Sequence, residues 1–172
     1  MKKLAMASAL LSAMALTATA AHAYQAEVGG SYTYNDPDDF DATHQFGVDG
    51  TYYFKPVQTR NSPLNEAAFL DRASNVKAHV DYANNDGVKD TQYGAGLEYY
   101  VPNSDFYVSG RIGRDELEVD NTSIDNKVTT FGAEFGYLPT AGLLLALVVT
   151  GYDVKDGGDG TDPTVRAKYV TK

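Results

Sequence analysis

The sequence predicts an all-β protein, a transmembrane antiparallel up-and-down β-barrel, and three observations predict it. Apolar and polar residues alternate with period two in eight successive segments, the connections between segments alternate in character, and the apolar flank carries aromatics near both ends of the segments. Successive side chains of a strand point to opposite sides of the sheet, so each segment has one greasy and one polar face. The 13 Tyr, 7 Phe and 16 Gly suit strands, tight turns and barrel corners better than a helical domain.

The chain opens with a secretory signal. Lys2 and Lys3 form a short positive region, residues 4–18 are apolar and uncharged, and Ala21-His22-Ala23 gives a small-x-small cleavage pattern, so residues 1–23 are read as a signal peptide and residues 24–172 as the barrel domain. A membrane anchor is the competing reading, but the apolar run is too short for one and a cleavage site follows it directly. The net charge is −9, and losing two lysines with the signal makes the mature chain more acidic still. Such a chain repels phosphate backbones, so a nucleic-acid partner is not expected. There is no Cys, hence no disulfide framework and no thiolate metal site.

The segments follow in order. Ala26, Val28, Gly30, Tyr32 and Tyr34 oppose Gln25, Glu27, Gly29, Ser31 and Thr33. Phe46, Val48, Gly50, Tyr52 and Phe54 oppose Gln45, Gly47, Asp49 and Thr51. The third sets Val76, Ala78, Val80 and Tyr82 against Lys77, His79 and Asp81, and the fourth Tyr93, Ala95, Leu97, Tyr99 and Val101 against Gln92, Gly94, Gly96 and Glu98. The fifth is less clean, with Phe106, Val108, Gly110 and Ile112 against Tyr107, Ser109 and Arg111. The sixth sets Phe131, Ala133, Phe135 and Tyr137 against Thr130, Gly132, Glu134 and Gly136. Residues 143–150 are apolar on both sides, but the run is short and ends rich in Val and Thr, so it reads as a strand and not a buried helix. The eighth places Val165, Ala167 and Tyr169 opposite Arg166 and Lys168.

The connections at 35–42, 83–90, 115–126 and 153–162 are acidic and polar, whereas 102–104 and 139–142 are tight. Long outside and short in the periplasm is the rhythm of an outer-membrane barrel. Tyr52, Phe54, Tyr99, Phe106, Tyr137 and Tyr169 would lie near the periplasmic ends, and Tyr32, Tyr34, Phe46, Tyr82, Tyr93 and Phe131 near the external ends. That makes two aromatic belts at the headgroup levels. A soluble barrel would turn its apolar set inward instead. The connection at 55–73 breaks the rhythm. Ser62-Pro63 resembles a helix start, and a short helical segment is predicted near 63–72. A short periplasmic helix is the favoured reading, and an inserted plug or partner-docking segment the alternative.

The inward-facing ionisable residues are the candidate lumen lining: Glu27, Asp49, Lys77, His79, Asp81, Glu98, Arg111, Glu134, Arg166 and Lys168. They read either as a constriction whose mixed charges set ion preference or as ion pairs filling the interior. Eight strands leave an interior just wide enough for side chains, whereas water-filled porins use sixteen or more.

No motif for chemistry stands out. The run Asp156-Gly157-Gly158-Asp159-Gly160-Thr161-Asp162 matches no EF-hand spacing and reads as a solvated loop. His44 and His79 fall on opposite faces, and Ser109 lacks the glycine-x-serine-x-glycine pattern of a nucleophile elbow. An enzyme is not expected, nor a catalytic residue, a metal or a cofactor.

Some stretches carry more than barrel statistics. Tyr24-Gln25-Ala26-Glu27-Val28-Gly29-Gly30-Ser31-Tyr32, Gly47-Val48-Asp49-Gly50-Thr51-Tyr52-Tyr53-Phe54 and Arg166-Ala167-Lys168-Tyr169-Val170 are three of them. The most specific is Pro63-Leu64-Asn65-Glu66-Ala67-Ala68-Phe69-Leu70. Together they resemble the porin family of Gram-negative gamma-proteobacteria. The resemblance spans most of the mature chain and implies outer-membrane location and pore activity, with no catalytic or ligand residues to carry over. Outer-membrane barrels commonly finish on an aromatic residue that the barrel-assembly machinery reads, and this sequence finishes on Thr171-Lys172. Two readings stay open, an atypical final strand or a chain lacking one or more C-terminal hairpins, the second favoured.

The expectation is a porin-like outer-membrane barrel for passive diffusion of small polar solutes or ions, its partners being outer-membrane lipid, lipopolysaccharide and the assembly machinery. The alternative is a non-conducting structural or surface-interaction barrel with acidic external loops. Solute identity and oligomeric state are not legible.

Overall fold

The computed structural model describes residues 5–15, 23–36, 42–59, 62–120 and 125–171. Nine strands and one helix follow in chain order: β1 (Ala5–Ala15), β2 (Ala23–Asp36), β3 (Thr43–Gln58), α1 (Leu64–Leu70), β4 (Asn75–Asn85), β5 (Val88–Tyr100), β6 (Phe106–Val119), β7 (Asp125–Thr140), β8 (Leu143–Val154) and β9 (Asp159–Tyr169). Each strand pairs antiparallel with its chain neighbour, in the order β1 to β9. This is the all-β up-and-down architecture that the alternation predicts, and β2 to β9 are the eight expected strands. Among the described residues no ladder joins β9 to β1 or β2.

β1 is the departure. Residues 5–15, read as the apolar core of a signal, run along β2 from Ala5 opposite Asp36 to Ala15 opposite Ala26. The outer edge of β2 offers a row of backbone donors and acceptors, and such an edge templates any extended segment within reach.

The connections opposite the tight turns are shorter than the sequence suggests. We call that end of the sheet the rim and the end with the turns at 102–105 and 141–142 the base. β4 runs on to Asn85, and only Asp86 and Gly87 turn the chain before β5. Their φ angles of 27° and 88° are the left-handed pair that matches strand twist in a two-residue hairpin. The acidic rim residues lie in ladders because cations face them from adjacent strands. Lys89 reaches Asp120 at 2.9 Å and Lys127 reaches Glu116 at 3.4 Å, while the Tyr93 hydroxyl donates to Glu116 at 3.1 Å. A side chain added at Gly87 would find room, its nearest neighbour being Asp120 Cβ at 3.4 Å. The backbone angle therefore sets the cost. Gly87→Val is expected to lose about 1–2 kcal/mol in a denaturant titration of the lipid-reconstituted protein.

The two faces differ sharply. Val48 is 61% exposed, Phe131 51%, Phe135 53% and Leu147 62%, and all stand on the flank that the sequence reads as greasy. The register draws the aromatics of that flank into rows. Tyr32 lies opposite Phe46 and Phe46 opposite Tyr82 toward the rim, and Tyr99 opposite Val108 and Phe106 opposite Tyr137 toward the base. A contiguous apolar surface of this extent is foreign to soluble monomers.

Most buried hydrophobic side chains lie on the other flank, toward the base. Tyr24, Tyr53, Val57, Ala67 and Ala73 form one cluster, and Tyr100, Tyr107, Leu138, Leu144 and Ala146 a second that receives Phe69. Both are organised by α1. The helix stands where 63–72 predicts it, packed against the inner flank at the base. Ala67 and Phe69 pack onto the inner flank because Tyr53, Val57, Tyr100, Tyr107 and Leu144 offer them an apolar seat there.

Candidate functional site

The candidate lining residues occupy one face of the sheet, and the register places them in rungs. One rung runs Glu27, Thr51, Lys77, Gly96, Arg111, Gly132, Thr150, Asp162 from β2 to β9. The next toward the rim holds Gly29, Asp49, His79 and Gly94, and the next toward the base holds Glu98, Ser109, Glu134, Val148 and Thr164. Two residues apart on alternating strands is one strand period, so these side chains share the inner face by geometry.

Glycine and charge are interleaved along the rungs, with a structural consequence. A β-carbon at Gly94 would meet the His79 ring at 2.7 Å, and one at Gly132 would meet Arg111 Nε at 2.7 Å. Asp49 lies over Gly29, Asp81 over Gly47 and Lys77 over Gly96 in the same way. Each long polar side chain therefore lies flat along the wall, across a bare neighbour, in place of standing into the lumen. The alternation scan sees these glycines only as members of the polar set. Their role emerges once the register is known.

Electrostatically the wall divides. Toward the base the cations are engaged: Lys77 pairs with Glu98, and Arg166 donates from Nε at 3.2 Å and also from its terminal nitrogen to Glu134. Lys168 pairs at 2.7 Å with Glu66 of α1, not with the wall. Arg111 donates to the Thr150 hydroxyl at 2.8 Å. Toward β2 to β4, by contrast, Glu27, Asp49 and Asp81 have no cationic partner among the described residues. Glu27 lies beside the hydroxyls of Tyr24 and Tyr53. Ion pairs thus run across β4 to β9, at Lys77–Glu98 and Arg166–Glu134, while Glu27, Asp49 and Asp81 over β2 to β4 form no ion pair among the described residues.

Several residues of the inner face escape the sequence reading, namely Tyr53, Asn75, Tyr100 and Leu144 on the wall and Glu66 on the helix, while Tyr107 stands on the polar face where the fifth segment puts it. The signal was present: Tyr53, Tyr100 and Tyr107 fall on the polar parity of their strands, all at the base, where an inward aromatic has no lipid to meet. His44 and His79 stand on opposite faces as parity requires, His44 taking a 3.0 Å hydrogen bond with the Tyr32 hydroxyl. Ser109 has Glu98 and Glu134 as its rung neighbours and no histidine beside it.

No helix among the described residues is long and apolar enough to cross a membrane, which says nothing about crossing by strands. Comparison with curated proteins found no match, and neither did comparison with solved structures. A family described as "Putative general bacterial porin", which implies a bacterial outer-membrane location, matches residues 1–161, nearly the whole two-faced sheet, and the chain belongs to that family.

Proposed function

We propose that the chain forms an outer-membrane, porin-like barrel through which small polar solutes or ions diffuse passively, without catalysis, metal or cofactor. The observation that carries the reading is the division of one sheet into an exposed apolar flank and a charged, glycine-studded flank. In hydrocarbon every backbone group needs a partner inside the protein, so a sheet with such an outer face is stable only when its edges are closed. The apolar flank would meet acyl chains, the rim belt would meet lipopolysaccharide, and the assembly machinery would insert the barrel. Planar-bilayer recordings of the reconstituted protein test this, with discrete openings expected. A correctly folded but silent protein would favour the rival reading of a structural or surface-interaction barrel, which the ion pairs Lys77–Glu98 and Arg166–Glu134 across the inner face support.

The unpaired carboxylates make a further expectation. With Lys77, Arg166 and Lys168 engaged, Glu27, Asp49 and Asp81 leave the β2 to β4 arc negative, and a ring of carboxylates favours cations. Cation permeation should exceed anion permeation in a potassium chloride gradient. The triple variant E27Q/D49N/D81N should bring the permeability ratio close to unity, and an unchanged reversal potential would remove these residues from the selectivity.

A further inference from the structure

The segment at 63–72 is not absorbed by the pore reading, and its placement assigns it a role. We propose that α1 is a constriction inserted into the lumen from the base, with Phe69 and the Glu66–Lys168 pair as its seat, and that it sets the size of solute that passes. The inference rests on the pore reading above.

The helix is held by side chains from both ends of the mature sheet. From β2, the Tyr24 hydroxyl donates to the Leu64 carbonyl at 3.5 Å. From β3, Tyr53 and Val57 pack with Tyr24 around Ala67, which is fully buried. From β5 to β8, the cluster of Tyr100, Tyr107, Leu138, Leu144 and Ala146 takes Phe69 packed against it. From β9, Lys168 pairs with Glu66 and also stands 4.5 Å over the Phe69 ring. A helix of seven residues, about 10 Å long at 1.5 Å per residue, thus meets inward side chains of β2, β3 and β9 and the cluster carried by β5 to β8. Side chains of strands at the two ends of the mature sheet therefore reach one short element, whose backbone runs beside β3.

The segment is also bolted at its exit. Arg72, at a φ of 49°, donates to the Ser104 carbonyl at 3.1 Å, to Asp105 at 3.0 Å and to the Leu138 carbonyl at 3.4 Å. One guanidinium thereby ties the end of the helical turn to the β5–β6 turn and to β7, and Lys55 holds the Asp71 carbonyl at 2.8 Å.

Size supplies the consequence. A helix with its side chains is about 10–12 Å across, which exceeds the space left in a narrow barrel whose interior is lined by side chains. What remains beside the helix is a cavity of about 210 Å³, lined among others by Asn65, Asn75, Lys77, Glu98 and Arg166. Solute crossing the base has to pass this polar slot, which suits small, hydrated, hydrogen-bonding molecules and excludes bulky or apolar ones.

The Glu66–Lys168 pair gives a reversible handle. E66K places two cations where an ion pair held the helix, and the swap E66K/K168E rebuilds the pair with its signs exchanged. Single-channel conductance of the full chain is expected to rise about twofold or more in E66K, as a helix-sized obstruction leaves the bore, and to return to the wild-type level in the swap. The cut-off for neutral sugars in liposome swelling should move with it. F69A, which removes the aromatic seat without touching charge, carries the same expectation should E66K not fold. A silent wild type with a conducting E66K or F69A also supports the proposal, the helix then being a complete plug. A conducting wild type with unchanged conductance and cut-off in F69A and E66K overturns the constriction and leaves the pore reading standing. Wild type, E66K and F69A all folded and silent overturn both.

Discussion

Replacing Leu147 by arginine is expected to destabilise the reconstituted protein by about 2–4 kcal/mol, the range for a cation placed on the lipid face of a barrel near the bilayer centre. Leu147 is 62% exposed and sits opposite Phe135 on one side and Val165 on the other, between the rim and base rows of aromatics. It buries little against protein, so a soluble fold would tolerate a charge there with almost no penalty. The inner face supplies the control. Ser109 has Glu98 and Glu134 on either side of it along one rung, and Ser109→Lys adds a cation between carboxylates at a modest cost, about 1 kcal/mol or less. Denaturant titration of both variants in lipid vesicles measures the difference. If Ser109→Lys proves the costly change and Leu147→Arg the silent one, the faces have been assigned the wrong way round, and with them the porin reading.

That assignment was legible in the sequence because the side-chain period of a strand is fixed at two, so eight alternating segments name their own faces. β8 shows the limit. Leu143, Leu144, Leu145, Ala146, Leu147 and Val148 are apolar on both sides, and only the register shows why. Leu144 and Ala146 face inward onto the Phe69 cluster, while Leu145 and Leu147 face outward. The double-sided run is therefore the footprint of α1 on the wall. The helix itself could be placed near 63–72 from Ser62-Pro63 and the residues that follow, but not its side of the sheet, because a seven-residue segment states which residues are apolar and not what covers them. The inward tyrosines 53, 100 and 107 were the missing half of that message. The rim ladders were misread for a different reason. Asp120 and Glu116 look like loop residues in one dimension, and their partners Lys89 and Lys127 come from neighbouring strands.

The second large effect is expected at Arg166, and its size bears on whether water fills the lumen. The Glu134 side chain is 7% exposed and that of Arg166 42%, so the two halves of the pair are not equivalent. Glu134→Gln leaves a guanidinium that already reaches solvent, and exposed pairs of this kind are worth about 0–1 kcal/mol. Arg166→Met instead strands a carboxylate among Tyr107, Ser109 and Val148, with no other cation bonded to it. The expected loss is about 2–3 kcal/mol, below the 3–5 kcal/mol of fully buried pairs because one partner is half in water. The double variant R166M/E134Q should recover most of it, since the amide carries no charge to desolvate. A double-mutant cycle by denaturant titration gives all three numbers. A small loss for Arg166→Met, comparable with that for Glu134→Gln, would mean that the stranded carboxylate finds water in the folded barrel. The lumen would then be wet at the level just above α1, the wall wider there than the packing of Phe69 and Leu144 suggests, and the constriction looser than proposed. The larger loss would place Glu134 in a dry floor that α1 helps to close, and would locate the narrowest part of the passage at that level.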